Sequence, residues 1–358
     1  MRVAIIHDWL TVYAGAEKVV EQMLHLYPQA DLFAVVDFFP DHLRKHLLGK
    51  KARTTFIQRL PFAKQLYRSY LPLMPMAIEQ FDLTGYDLVI SSSSAVAKGV
   101  LTGPGQPHIC YCNSPIRYAW DLQHQYLKGK KSPLARYFLH RIRQWDILSS
   151  NSVDTFLANS HFIAERIKKY YRREAEVVYP PVAIDHFPLQ EKKEDYYVTA
   201  SRLVSYKRVD LIVEAFRSLP GRRLIVIGSG PEERVLRRRI PPNVTLAGHL
   251  PHRELTHLLG GARGFVYAAL EDFGIAPLEA QACGTPLIAY GKGGVKETSS
   301  EVGLFFMEQS SAAIREAIEL FETRESPSPR QCRQNAERFS ESRFREEFLK
   351  YTNRVIDP

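Results

Sequence analysis

The sequence predicts an α/β protein built from two doubly wound domains. Its 358 residues suffice for two domains of ordinary size, each burying its own core. Short apolar runs, partly β-branched, alternate with amphipathic stretches of helical period along the chain, and that alternation gives parallel sheets flanked by helices. A stretch at 182–195, carrying Pro188 and the charge run Glu191-Lys192-Lys193-Glu194-Asp195, divides the pattern in two and reads as a solvated linker.

Composition narrows the class. A hydrophobic share of 45% and a charged share of 24% are those of a soluble globular chain. No apolar run approaches the roughly 18 residues that cross a bilayer. The opening Met1-Arg2-Val3-Ala4-Ile5-Ile6-His7-Asp8 starts a strand and is too short for a signal peptide, so a cytoplasmic protein is expected. Cys110, Cys112, Cys283 and Cys332 form no zinc spacing and read as buried reduced thiols. The formal charge of +9 is uneven: residues 1–180 hold 23 Lys+Arg against 15 Asp+Glu (+8), and the remainder 25 against 24 (+1). Between residues 43 and 80 lie Arg44, Lys45, Lys50, Lys51, Arg53, Arg59, Lys64 and Arg68 with Glu79 as the one acid. Between 122 and 145 lie Lys128, Lys130, Lys131, Arg136, Arg141 and Arg143 with none. Such patches suit an anionic partner, either a membrane surface or a lipid pyrophosphate; no nucleic-acid motif accompanies them, so nucleic acid is not an expected partner.

The first domain, 1–181, opens with a strand over 2–7, a loop carrying Gly15 and a helix over 17–26 with Val19, Val20, Met23 and Leu24 on one face. Gly15 lets backbone approach a ligand closely. Further strands are expected over 31–36, 86–91, 107–112, 155–158 and 175–179, and helices over 132–150 and 162–170, the latter capped by Ser160. The stretch 43–81 is basic, aromatic and helical in character, broken at Pro61, Pro72 and Pro75. Its apolar members, among them Phe56, Ile57, Leu60, Phe62, Leu66 and Tyr67, suit either a core or an amphipathic membrane-facing surface. Ser91-Ser92-Ser93-Ser94 sits at a strand end.

The second domain, 196–339, repeats the alternation more cleanly, with strands over 196–201, 223–227, 244–247, 264–268, 286–289 and 303–306. A charged helical tail over 340–358 follows. Chemistry concentrates at the carboxyl ends of these strands, where α/β sheets bind ligands. Arg202 and Lys207 flank the first such loop; a guanidinium grips phosphate oxygens in pairs and an ammonium adds a point charge. Gly228-Ser229-Gly230 follows the next strand but has Glu233 where a dinucleotide fingerprint needs its third glycine. The fourth strand leads into Glu271-Asp272-Phe273-Gly274-Ile275-Ala276-Pro277-Leu278-Glu279. One carboxylate sits on the loop and the second about a turn into a helix predicted over 277–283, whose unpaired amides form an anion site. That arrangement suits a phosphorylated polyol. No Asp-x-Asp is present, so no metal is expected, and His249, His252 and His257 read as surface residues.

The Glu-x7-Glu stretch, continued by Ala280-Gln281-Ala282-Cys283-Gly284-Thr285-Pro286, resembles the donor-site motif of the retaining glycosyltransferases of family 4. The resemblance implies the GT-B fold, two Rossmann-like doubly wound domains facing each other across a cleft, with the tail crossing back to the first domain. It implies Arg202 and Lys207 as a diphosphate clamp, Glu271 on the transferred sugar and Glu279 on the ribose. It places Gly15, Gly228, Gly230, Leu250, Phe273, Gly274 and Ile275 around the donor, with Gly291-Lys292-Gly293-Gly294 beside it. The loop Cys112-Asn113-Ser114-Pro115-Ile116-Arg117-Tyr118-Ala119-Trp120-Asp121 is similar to one in bacterial mannosyltransferases of O-antigen and exopolysaccharide assembly. They usually carry histidine where Asn113 stands. Asn113 can hydrogen-bond a sugar but cannot act as a base near pH 7. The resemblance therefore implies hexose transfer from a nucleotide-diphosphate sugar, GDP-mannose first and a UDP- or dTDP-hexose second, without a cofactor. A glycan or a polyprenyl-diphosphate-linked glycan is the expected acceptor, met at the inner leaflet. A GT-B nucleotide-sugar epimerase and a non-catalytic sugar-nucleotide-binding subunit are the other readings. Asp8 and Asp121 are the first-domain acids available as a nucleophile; same-face attack is favoured over both.

Overall fold

The computed structural model describes residues 1–127 and 132–356. Lys128, Lys130 and Lys131 of the second basic cluster lie outside the described residues. The chain divides into two compact units, Met1–Pro181 with Ser342–Pro358, and Val182–Glu341.

The first unit holds a seven-stranded parallel sheet in the order β3-β2-β1-β4-β5-β6-β7. Its strands are β1 Val3–His7, β2 Asp31–Ala34, β3 Arg53–Thr54, β4 Leu88–Ser93, β5 His108–Cys112, β6 Thr155–Ala158 and β7 Glu176–Val177. β1, β4 and β5 are buried on both faces, so their sequences are continuous apolar or small-residue runs without alternation. Ser91, Ser92 and Ser93 end β4, the first two paired on both sides, and Ser94 follows the strand. β3 is a two-residue edge strand with no hydrophobic signature, which is why the sequence pattern omits it. Around β3 the stretch 41–78 forms short 3₁₀ and α turns; Pro61 separates two of them, whereas Pro72 lies inside the 3₁₀ turn Tyr67–Leu73 and Pro75 in the first turn of Met74–Ile78. Ile57, Tyr67, Met74 and Ile78 belong to the core there.

The C-terminal helix Glu341–Ile356 buries Phe344, Phe348 and Thr352, a stripe at four-residue spacing. Phe344 and Phe348 pack edge-on and tilted against Tyr111 at 5.8 and 6.4 Å. Tyr27 donates a 2.8 Å hydrogen bond to the Thr352 hydroxyl. These contacts make the helix part of the first unit's core.

The second unit holds a six-stranded parallel sheet in the order β10-β9-β8-β11-β12-β13. These are β8 Tyr197–Ala200, β9 Leu224–Ile227, β10 Val244–Gly248, β11 Gly264–Tyr267, β12 Leu287–Tyr290 and β13 Gly303–Phe306. The stretch 182–195 is not a free solvated linker. The Lys193 ammonium donates to the Gly260 carbonyl at 2.7 Å and the Thr285 hydroxyl at 3.1 Å, and burial lowers its pKa to about 8. Gln190 and Glu194 amides bond the Cys283 and Gly261 carbonyls at 3.1 and 2.7 Å, so the stretch is laid along the second unit.

Candidate active site

In the second unit the strand order reverses between β8 and β11: β9 and β10 continue on one side, β12 and β13 on the other. Loops leaving two neighbouring strands at such a point turn to opposite faces and leave a crevice over the strand ends. The loop after β8 carries Arg202 and Lys207, and the loop after β11 carries Glu271.

Lys207 ends a 3₁₀ turn, Ser205–Lys207, and Arg208 after it takes a left-handed φ of 53° before the helix Val209–Arg217. The Lys207 ammonium forms an ion pair with the Glu271 carboxylate, the two side chains being 14% and 15% exposed. It also donates to the Tyr267 hydroxyl at 3.0 Å and lies 5.5 Å from the centre of that ring. Burial opposes the ammonium's charge, but Tyr267 and Glu271 outweigh it and hold the pKa above that of an ordinary lysine. Arg202 is exposed on the same loop.

Gly228 and Gly230 set the shape of that loop. Gly228 has φ +123°, and a Cβ there would lie 1.9 Å from the Ser201 carbonyl oxygen; one on Gly230 would lie 2.3 Å from that of Leu203. The loops after β8 and β9 are thus laid backbone to backbone, joined by Leu203 N–H to Ser229 O at 2.9 Å. The Gly228 amide reaches the Gly248 carbonyl at 2.7 Å, tying in the loop that carries half-buried Leu250.

The helix after β11 runs Ile275–Ala282, two residues earlier than the sequence pattern suggests, with Gly274 as its cap at φ +98°. Its first turn lacks intrahelical acceptors for the amides of Ile275 and Ala276, beside the Glu271 loop, and Pro277 has no N–H to satisfy. Gly293 lies against that loop: a Cβ there would sit 2.3 Å from the Glu271 carbonyl, and the Gly294 amide bonds the same oxygen at 2.9 Å. The Phe273 ring is buried and meets Phe339 edge-on at 5.7 Å, which turns the ring into the core. Ile275 and Glu279 are half-buried, Glu279 a turn inside the helix. Behind the helix, Gln281 donates to the Ser299 hydroxyl at 2.7 Å and accepts from Asn335 at 2.6 Å. This buried amide network fixes the helix from below.

In the first unit Asn113 follows β5. Its side-chain amide donates to the Ser92 hydroxyl at 3.0 Å, its backbone amide to Ser93 O at 2.8 Å, and Asn159 donates to its carbonyl at 2.8 Å. Gly15 begins the helix Gly15–Leu26, and the Glu17 carboxylate accepts the Ala14 amide at 3.0 Å. Buried His7 joins the two places: its Nδ1 donates to Ser92 O at 3.2 Å and its Nε2 lies 3.6 Å from Glu17. Asp8 is fully occupied, accepting the amides of Ser94, Ala95, Val96 and Ala97 at 2.5 to 3.0 Å. Asp121 is ion-paired with Arg166.

The arrangement supplies positive charge and amide donors for a diphosphate, and carboxylates for hydroxyl groups. Sequence reading missed Tyr267, which it counted as core strand, and the His7–Glu17 pair under the Gly15 turn. The available signal for Tyr267 was its place as the last residue of a strand that leads into the acidic motif. Among the described residues no three His, Cys, Asp or Glu side chains cluster as metal ligands.

Residues 13–186 match the family model described as Glycosyltransferase Family 4, and residues 182–339 that described as Glycosyl transferases group 1. A GDP-mannose-dependent monoacylated alpha-(1-6)-phosphatidylinositol monomannoside mannosyltransferase of Corynebacterium glutamicum is 36% identical over 113 residues, 27% of this chain and 30% of that protein. The chain thus matches about a third of that relative's length. A human alpha-1,3/1,6-mannosyltransferase is 26% identical over 325 residues, 78% of this chain and 75% of its own. Among solved structures, the Anabaena HepE protein in complex with UDP-glucose superposes with a TM-score of 0.71 at 16% identity, over 99% of this chain and 100% of that one. At that identity the likeness shows the shared GT-B fold.

Proposed function

The chain belongs to the GT4-like glycosyltransferases, and from that membership we propose that it transfers a hexose, with retention, from a nucleotide-diphosphate sugar to a glycan or lipid-linked glycan. The observation that carries this reading is the meeting of Lys207 and Glu271 at the β8–β11 reversal, beside the helix that begins at Ile275. Lys207, Arg202 and the helix amides take the diphosphate, Glu271 the hydroxyls of the transferred sugar and Glu279 the ribose. In the first unit, Asn113 is suited to hydrogen-bond a sugar and cannot act as a base near pH 7.

Asp8 is committed to four backbone amides and Asp121 to Arg166, which supports same-face attack over a protein nucleophile. The acceptor oxygen bonds the anomeric carbon on the face the phosphate leaves. The bond to the phosphate oxygen breaks, and that oxygen takes the acceptor's proton. The positive charge fixed at the site stabilises the departing diphosphate without a metal ion, so turnover is expected to persist in excess EDTA.

GDP-mannose is the favoured donor, supported by the names of the two mannosyltransferase relatives. Asn113 stands where the similar mannosyltransferases carry histidine, which weakens the case for mannose; a UDP- or dTDP-hexose donor is the second reading. A thermal-shift screen against GDP-, UDP-, dTDP- and ADP-sugars separates them: a ligand of the native state raises the midpoint by mass action, about 2.7 kcal/mol at a hundredfold excess over Kd. A rise with none of the four would count against nucleotide-sugar transfer altogether.

The acceptor is proposed to be met at an anionic membrane. No helix among the described residues is long and apolar enough to cross one. The stretch 43–80 leaves Phe62 72% exposed and Leu66 47% exposed among exposed Arg59, Lys64 and Arg68. Exposed apolar side chains interleaved in sequence with exposed cations suit the interface of an anionic leaflet.

A further inference from the structure

We propose that Tyr267 is a positioning residue: its hydroxyl fixes the Lys207 ammonium while Glu271 exchanges that ammonium for the donor sugar. The inference rests on the donor-site reading above.

In the free chain Lys207 and Glu271 satisfy each other. A bound donor needs both, the ammonium on its diphosphate and the carboxylate on its sugar hydroxyls. Glu271 therefore has to release part of its hold on Lys207 as the donor enters. A lysine on four rotatable bonds, freed of its one carboxylate, gains many rotamers and loses its aim. The Tyr267 hydroxyl is the other acceptor on the ammonium, at 3.0 Å.

Tyr267 differs from Glu271 in rigidity. The Glu271 backbone is bridged to Gly293, but its carboxylate ends a side chain of three torsions that is 15% exposed; Tyr267 is the last residue of β11, paired with Ala289 of β12 and 3% exposed, and its ring turns on two. Its ring packs 5.9 Å from Phe265, and the carbonyl of the following Ala268 is held by the Gln309 side chain at 2.7 Å. The hydroxyl cannot follow the donor. Burial and the neighbouring Glu271 carboxylate raise its pKa, so the phenol stays protonated and accepts from the ammonium as a neutral group. Phenylalanine at this place would keep the ring against Lys207 and delete the acceptor.

Wild type, Tyr267→Phe, Lys207→Met and the double variant are titrated calorimetrically with GDP-mannose and with UDP-glucose, whose sugars draw on Glu271, after melts confirm that each is folded. Tyr267→Phe removes a single oxygen, so the fold is expected to hold. Affinity is expected to fall about ten- to a hundredfold in Tyr267→Phe, the range for loss of a hydrogen bond to a charged group. The same change in the Lys207→Met background is expected to have no further effect, because the hydroxyl then has no ammonium to hold. Wild-type affinity in Tyr267→Phe beside weakened binding in Lys207→Met would overturn the inference and leave the donor site standing. So would a full additional loss in the double variant, which marks a packing role. Unchanged affinity for both nucleotide sugars in Lys207→Met would remove the donor-site reading, and this inference with it.

Discussion

Glu271 and Glu279 belong to one stretch of sequence, yet their surroundings differ. Glu271 is paired with Lys207 on a loop, and Glu279 lies inside the helix Ile275–Ala282. Glu279→Gln is expected to weaken donor binding roughly tenfold with kcat nearly kept. Glu271→Gln is expected to lower kcat roughly a hundredfold, since its contacts tighten in the transition state. Steady-state kinetics on both variants decides; equal losses of donor affinity with intact kcat would undo the division. At the other end of the chain, His7 is buried against Glu17. Burial opposes its charge, but the hydrogen bond to and charge of Glu17 prevail, and the pKa is raised above the ordinary imidazole value. The folded state therefore holds this proton more tightly than the unfolded one. The stabilisation is full below the ordinary imidazole pKa and is lost as pH rises through the raised one. Melts of wild type and Glu17→Gln from about pH 5 to 9 test this. The wild-type advantage should be largest at the acid end and shrink upward, and an advantage that grew with pH would reverse the assignment.

At the scale of elements, function hangs on loops laid against each other without side chains between them. Gly228 shows it: any Cβ there meets the Ser201 carbonyl, and its φ is one that other residues rarely adopt. Gly228→Ala is expected to cost about 2–4 kcal/mol, from backbone strain and overlap. It should also lower nucleotide affinity, because the displaced loop carries Arg202 and Lys207. Gly221 is the control, with nothing within 4 Å of its added Cβ and no left-handed φ. Gly221→Ala should leave both stability, within about 0.5 kcal/mol, and affinity unchanged. Equal effects at the two glycines would refute the packing account.

For the whole molecule the question is where it works. Phe62 is exposed with a left-handed φ of 54°, an uncommon and costly backbone state for a bulky residue. An exposed aromatic on a turn, close in sequence to exposed Arg59, Lys64 and Arg68, is suited to enter a lipid headgroup layer. Sedimentation with vesicles should show binding that needs anionic lipid and weakens with salt, since each nearby cation contributes about 1 kcal/mol. Binding should drop when Lys50, Lys51, Arg53 and Lys64 become glutamate, and separately in Phe62→Ser. Equal pelleting with neutral and anionic vesicles, or none, would point to an acceptor that is a soluble glycan.

The sequence by itself determined the α/β class, almost every strand, and the loops that carry chemistry. Buried parallel strands need continuous apolar runs, and ligand loops need glycine and charge at strand ends; both are local signals. It also determined that Glu271, Arg202 and Lys207 belong to strand-end loops. Tertiary structure alone decided which residues meet. Lys207 and Glu271 are 64 positions apart and touch because β8 and β11 are neighbours, a pairing that sheet order sets and no short-range pattern records. It decided that Asp8, a free acid in the sequence, is spent on four amides, because those donors arrive from residues 94–97. It also divided the stretch 43–80, whose period cannot be read across three prolines, into core residues such as Ile57 and Tyr67 and exposed ones such as Phe62 and Leu66. A hydrophobic residue carries the same free energy of transfer in either place, and only the packing around it decides whether water is removed.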